Sequence, residues 1–180
     1  MSAYSMLAES AAIYLDASAL PKIDVEEDSV SGLTRCLIYL SRIQVFYSTV
    51  SFGEFVGVAR RKEREGKIAA DGYLYSCRAL LVDIDMGKLH RIEPPRDRFE
   101  FITIAQPLVT KYSTLGGGGI WHLLCAAQLS KEHPPAAFLS FDRDLCSAAL
   151  AEGLRAAYGY DLEREPLITA LKAKGKWIGG

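Results

Sequence analysis

The chain has 180 residues, of which 49% are hydrophobic and 24% charged, enough for one core-bearing domain and inconsistent with a disordered or fibrous chain. Its formal net charge of -1 neither requires nor excludes a nucleic-acid partner, because basic residues can cluster on a neutral protein. No stretch approaches the roughly 18 to 20 apolar residues of a membrane span, and the first residues lack the basic start and apolar run of a secretory signal, so the expected compartment is cytoplasmic and reducing.

Residues 11–16 read as a first strand, apolar until it ends in Asp16, which is followed by Ala17, Ser18 and Ala19. The acid-rich stretch 24–28 reads as a solvated loop before a helix over 30–43. A strand over 44–49 carries Val45, Phe46 and Tyr47. The next helix is predicted to open at Ser51. Ser51 and Glu54 have the spacing of a capping box, Val50 and Phe55 that of a hydrophobic staple, and Phe52, Phe55, Val56 and Ala59 form the face to be buried. A helix over 69–85 should bury Tyr73, Cys77, Leu80, Leu81 and Ile84, and a short strand over 89–92 precedes Pro94-Pro95 and a helix over 97–111.

The glycine run 116–119 opens a helix reaching residue 130, with Leu123, Leu124, Ala127 and, at the margin, Ile120 facing inward. It is a poor phosphate loop, because no Gly-Lys-Ser/Thr ending follows and no strand stands immediately before it. Residues 136–141 read as a buried strand, Asp142 opens a helix to about 152, and 154–158 form a last strand before a helix over 163–174. The four cysteines, Cys36, Cys77, Cys125 and Cys146, are scattered without a Cys-x-x-Cys pair and read as buried thiols. Strands alternating with helices predict a single three-layer α/β domain over 1–180, its sheet mainly parallel and covered on both faces.

Three acids stand at element ends: Asp16 in Leu15-Asp16-Ala17-Ser18, Glu54 in Val50-Ser51-Phe52-Gly53-Glu54, and Asp142 in Ser140-Phe141-Asp142-Arg143. Ligands of open α/β sheets bind beyond the carboxyl ends of strands, and converging carboxylates repel one another unless a cation is present. Each acid also has a local use: Asp16 as a turn acceptor, Glu54 in the capping box, and Asp142 as an N-cap worth about 1 kcal/mol. Asp144 reads as a solvated first-turn acid. His122 either packs in the core or faces the crevice. Arg60-Arg61-Lys62-Glu63-Arg64 is either a solvated helix end or a phosphate contact, and Trp121 and Trp177 either pack or stack on bases.

This constellation resembles the PIN domain, the nuclease fold of VapC-type toxins from bacterial toxin–antitoxin pairs, over most of the chain. The resemblance implies that Asp16, Glu54 and Asp142 hold Mg²⁺ or Mn²⁺ and cleave single-stranded RNA. It also implies that Ser18 and Ser140 support the ligands, and that an antitoxin protein and a second copy of the chain are partners. The family places an acid three residues before a His on a later helix. Here Gly119-Ile120-Trp121-His122 puts glycine at that catalytic position, which offers no side-chain ligand. Two origins stay open, a chain that has lost catalysis and an inactivated form of an active parent with Asp at this position. The alternative function is a catalytically inactive module that binds RNA or a protein. A flavodoxin-like phosphate-transfer domain would need a Lys near a late strand end that the sequence does not place.

Overall fold

The computed structural model describes residues 2–22, 29–162 and 164–179; the expected acidic loop at 24–28 lies outside them. In chain order the elements are α1 (Ala3–Glu9), β1 (Ala12–Leu15), α2 (Ser29–Leu40), β2 (Gln44–Tyr47), α3 (Thr49–Arg64), α4 (Gly72–Asp85) and β3 (Leu89–Arg91). They continue with α5 (Arg98–Lys111), α6 (Gly117–Glu132), β4 (Ala136–Ser140), α7 (Arg143–Ala151), β5 (Ala156–Tyr158) and α8 (Arg164–Ala173). The strands make one sheet in the order β3-β2-β1-β4-β5, and every pairing is parallel. The chain steps from β1 through β2 to β3 in one direction and then returns to place β4 on the other side of β1. That reversal makes the C-terminal ends of β1 and β4 the switch point where a crevice opens.

Successive strand residues face opposite sides of the sheet, and the two cores divide accordingly. Ile13 and Leu15 of β1, Val45 and Tyr47 of β2 and Ala137 and Leu139 of β4 pack with side chains of α1, α2, α4 and α8 and with Phe55 of α3. Ala12, Tyr14, Phe46 and Phe138 pack on the other face with α5, α6 and α7. All four β1 residues are fully buried, as expected of a central parallel strand covered on both sides. The result is the predicted three-layer α/β architecture.

Three local expectations need correction. Helix α3 begins earlier than predicted: its N-cap is Ser48, whose Oγ accepts from Ser51 N at 3.2 Å while Ser51 Oγ accepts from Ser48 N at 3.3 Å. The reciprocal box is therefore Ser-x-x-Ser, and Glu54 has no capping task. On α4 the buried face is centred on Ser76, Leu80 and Asp83, which turns Leu81 outward at 47% exposure. The third correction is α1, which no sequence signal announced. Ser2 caps it by accepting from Ser5 N, and its Met6, Leu7 and Ala8 enter the core.

Candidate functional site

Asp16 is the first residue past β1 and is buried, 2% exposed. Its Oδ1 accepts from Ser18 N at 3.0 Å, Ala19 N at 2.9 Å and Ser18 Oγ at 2.7 Å, and its Oδ2 accepts from Ser140 Oγ at 2.6 Å. The two serines bind β1 to β4: Ser18 Oγ also accepts from Phe141 N at 2.8 Å, and Ser140 Oγ accepts from Asp142 N at 2.9 Å. Burial raises the Asp16 carboxyl above the usual carboxylate range, opposed by the nearby His122 and by the hydrogen bonds from Ser140 and Ser18. Ser18 and Ser140 thus hold the Asp16 carboxyl from both sides.

Asp142 does what its place before α7 predicts. Its Oδ1 accepts from Asp144 N at 2.9 Å and Leu145 N at 3.0 Å, leaving Oδ2 available at the surface.

Glu54 lies on α3 with His122 Nε2 at 3.3 Å from its Oε2. His122 is 2% exposed, so it is a core residue that also meets the crevice. Its Nδ1 is 2.7 Å from Tyr14 Oη, which lies 3.0 Å from Ser48 Oγ and 3.3 Å from Ser51 Oγ, and Ser51 Oγ donates to Leu15 O at 3.3 Å. The single Tyr14 hydroxyl proton is donated to Ser48 Oγ, so the phenol oxygen accepts from His122 Nδ1–H. Tyr14, Ser48 and Ser51 are site-supporting residues that sequence reasoning missed. Their signal was a lone tyrosine in an aliphatic strand, since a buried phenol requires a partner.

Gly119 is the third residue of α6 and faces the same cavity; a Cβ there would meet Leu115 Cβ at 3.3 Å. Its neighbour Gly118 is different. A Cβ on it would fall 2.6 Å from Glu54 Oε1, so glycine at 118 is what lets Glu54 lie against α6.

Asp16, Glu54, Gly119, His122 and Asp142 line one cavity of about 510 Å³, with Arg61 of the basic run also on its wall. A larger cavity of about 730 Å³ lies beside β5 and α7, away from these acids. The sequence-predicted residues are therefore assembled at the switch point. Among the described residues, however, no group of three or more His, Cys, Asp or Glu side chains converges closely enough to hold a metal ion. Asp16 and Asp142 are the hard oxygen donors that could hold an ion with few protein ligands; Ser140 Oγ donates to the Asp16 carboxylate and accepts from the Asp142 backbone N–H. Mg²⁺ commonly binds this way, through one or two carboxylates and several waters. Burial pushes the Cys125 and Cys146 thiols up to about 12.

No helix among the described residues is long and apolar enough to cross a membrane. No family model matches this chain, and no curated protein is significantly similar to it. Among solved structures, the crystal structure of PAE2754 from Pyrobaculum aerophilum resembles it, with 14% identity and a TM-score of 0.48, over 91% of this chain and 88% of that one.

Proposed function

We propose that the chain is a PIN-type, metal-dependent endoribonuclease scaffold, the toxin of a toxin–antitoxin pair, in a form that lacks one acid of its site at Gly119. The observation that supports this most is the gathering of Asp16, Glu54, Asp142 and Arg61 around one cavity at the switch point of a parallel sheet. Mg²⁺ or Mn²⁺, when bound, would supply a more acidic water and stabilise the leaving oxygen of a phosphodiester. The protein's own part is positional. Asp16, fixed by Ser18 and Ser140, and Asp142, fixed as an N-cap, present oxygens to the cavity. Arg61 offers a charge to the phosphate. Glu54, held at Oε2 by His122, keeps Oε1 free for the ion, the role the resemblance gives it.

The exposed apolar side chains Leu74, Tyr75, Leu81, Val82 and Met86 along α4 suit the amphipathic helix of an antitoxin or a second copy of the chain.

The glycine at 119 supports a second reading, a module that binds RNA without cutting it. One experiment separates the two: Mn²⁺ affinity by calorimetry and Mn²⁺-dependent cleavage of single-stranded RNA, compared between this chain and Gly119→Asp. The Asp variant should bind Mn²⁺ more tightly and cut. A folded Gly119→Asp protein that does neither removes the nuclease reading and leaves the binding module.

A further inference from the structure

A second concavity opens at the same edge of the sheet, just past β3. It measures about 460 Å³ and is walled by Pro94, Pro95, Phe101 and Trp121, with Arg96 and Arg98 among its lining residues. Its position ties it to the acid cavity in two ways. Trp121 sits on α6 between Gly119 and His122, both of which line that cavity. Glu93, also on its wall, accepts from Thr49 N at 2.9 Å and from the Thr49 hydroxyl, at the first residue of the helix that carries Glu54.

The chemistry of the walls is selective. Trp121 and Phe101 rings lie 5.7 Å apart at 53°, and two consecutive prolines, each with a locked φ, stiffen the facing wall. Arg96 and Arg98 are exposed, and neither is paired with a carboxylate among the described residues. The indole N–H of Trp121 has no acceptor in the protein, so packing alone sets the ring's position. An apolar pocket by itself would suit a peptide side chain, but two unpaired guanidinium groups beside it favour a ligand that is flat, aromatic and joined to anions.

We propose that this pocket is a nucleobase subsite: one base of a single-stranded RNA stacks on Trp121 while Arg96 and Arg98 take the flanking phosphates. Base stacking on an indole tolerates any base, and planar guanidinium groups match phosphate oxygens. The choice of RNA rests on the nuclease reading above; the pocket itself requires no catalysis.

The test uses the full chain with Trp177→Phe, which leaves Trp121 as its one tryptophan, in EDTA so that no strand is cut. A single-stranded RNA of about eight nucleotides should quench Trp121 emission saturably. The same strand with abasic sugars should quench little and bind about tenfold more weakly, as expected for the loss of one stacked base. Arg96→Ala with Arg98→Ala should weaken both strands alike and flatten the salt dependence. Trp121→Phe should keep most of the discrimination between the strands, and Trp121→Leu should lose it. Equal affinity for the two strands with unchanged emission overturns the proposal. So does quenching by an amphipathic peptide but not by RNA, which would make the pocket a protein-docking site. Base discrimination in EDTA alongside a Gly119→Asp protein that cannot cut would sink the nuclease reading and leave the subsite standing.

Discussion

The β1–β4 corner and the first turn of α6 border one cavity and are built in opposite ways. At the β1–β4 corner both Asp16 oxygens accept hydrogen bonds, and Ser18 and Ser140 each bridge the two strand ends. At the α6 turn, residues 116–119 are all glycine, and none of them has a positive φ, so the backbone does not demand glycine there. A Cβ would displace the flexible end of Glu54 at Gly118 and press on Leu115 Cβ at Gly119. The contrast separates fold from chemistry: the first corner holds strands together whether or not it reacts, while the second can gain or lose a side chain without consequence for the sheet.

The largest expected effect breaks the first corner. Asp16→Ala strands two backbone N–H groups and two hydroxyls in a buried place and should cost about 3 kcal/mol in urea unfolding. Asp16→Asn keeps an acceptor and removes a buried charge, so in metal-free buffer at pH 7 it should unfold no earlier than the parent. Burial raises the folded-state value of Asp16, so this group's stabilising contribution is present below the ordinary carboxylate range and lost as pH rises through the raised value. The advantage of Asn over Asp should therefore grow as pH climbs from about 4. Equal losses for Ala and Asn would show that hydrogen bonding does not set this corner.

Next in size is Tyr14→Phe, which leaves His122 Nδ1 and the Ser48–Ser51 box without the phenol and should cost about 1 to 2 kcal/mol. A thermal unfolding curve identical to the parent's would mean that water replaces the hydroxyl.

Changes in the second corner should be smaller. Gly119→Asp gains helix propensity and an acid at the positive end of α6, against a tight contact with Leu115, for a net change within about 1 kcal/mol. Smallest is Gly118→Ala. It pushes aside the end of a flexible, half-exposed glutamate, so stability should stay within about 0.5 kcal/mol. The His122 ring resonances in NMR should nevertheless shift as Glu54 leaves; unchanged resonances would show that the two do not touch.

Much of the fold was legible because the signals were local: apolar strand runs, Asp142 before its helix, and glycine before α6. Asp16 was legible for the same reason, an acid ending an apolar strand. The errors came where distant contacts decide. Ser48 and Ser51 both qualify as caps by spacing, and a glutamate three residues after Ser51 makes the wrong one look better. Tyr14, 34 residues away from Ser48, adds a distant partner whose hydroxyl reaches both serines. On α4, Asp83 is buried and accepts from Tyr39 of α2, an arrangement that no hydrophobic period announces and that turns Leu81 outward. Helix α1 has seven residues, too few for a clear period, and it packs against α8 at the far end of the sequence. His122 is both core and crevice, because α6 buries its ring with Nδ1 on the buried Tyr14 while Nε2 meets Glu54.

The hydrogen bond from Ser140 to Asp16 spans 124 residues, and this has a consequence for the timing of synthesis. A ribosome releases β1, α3 and α6 before it has made β4. Until β4 emerges, Asp16 has neither its strand neighbour nor the Ser140 hydroxyl, and Asp142 does not yet exist. An emerging polypeptide therefore carries scattered acids with no crevice between them, and the centre is completed late in translation, once β4 and the start of α7 have docked. Any property that needs the whole crevice is therefore absent from the growing chain until that point.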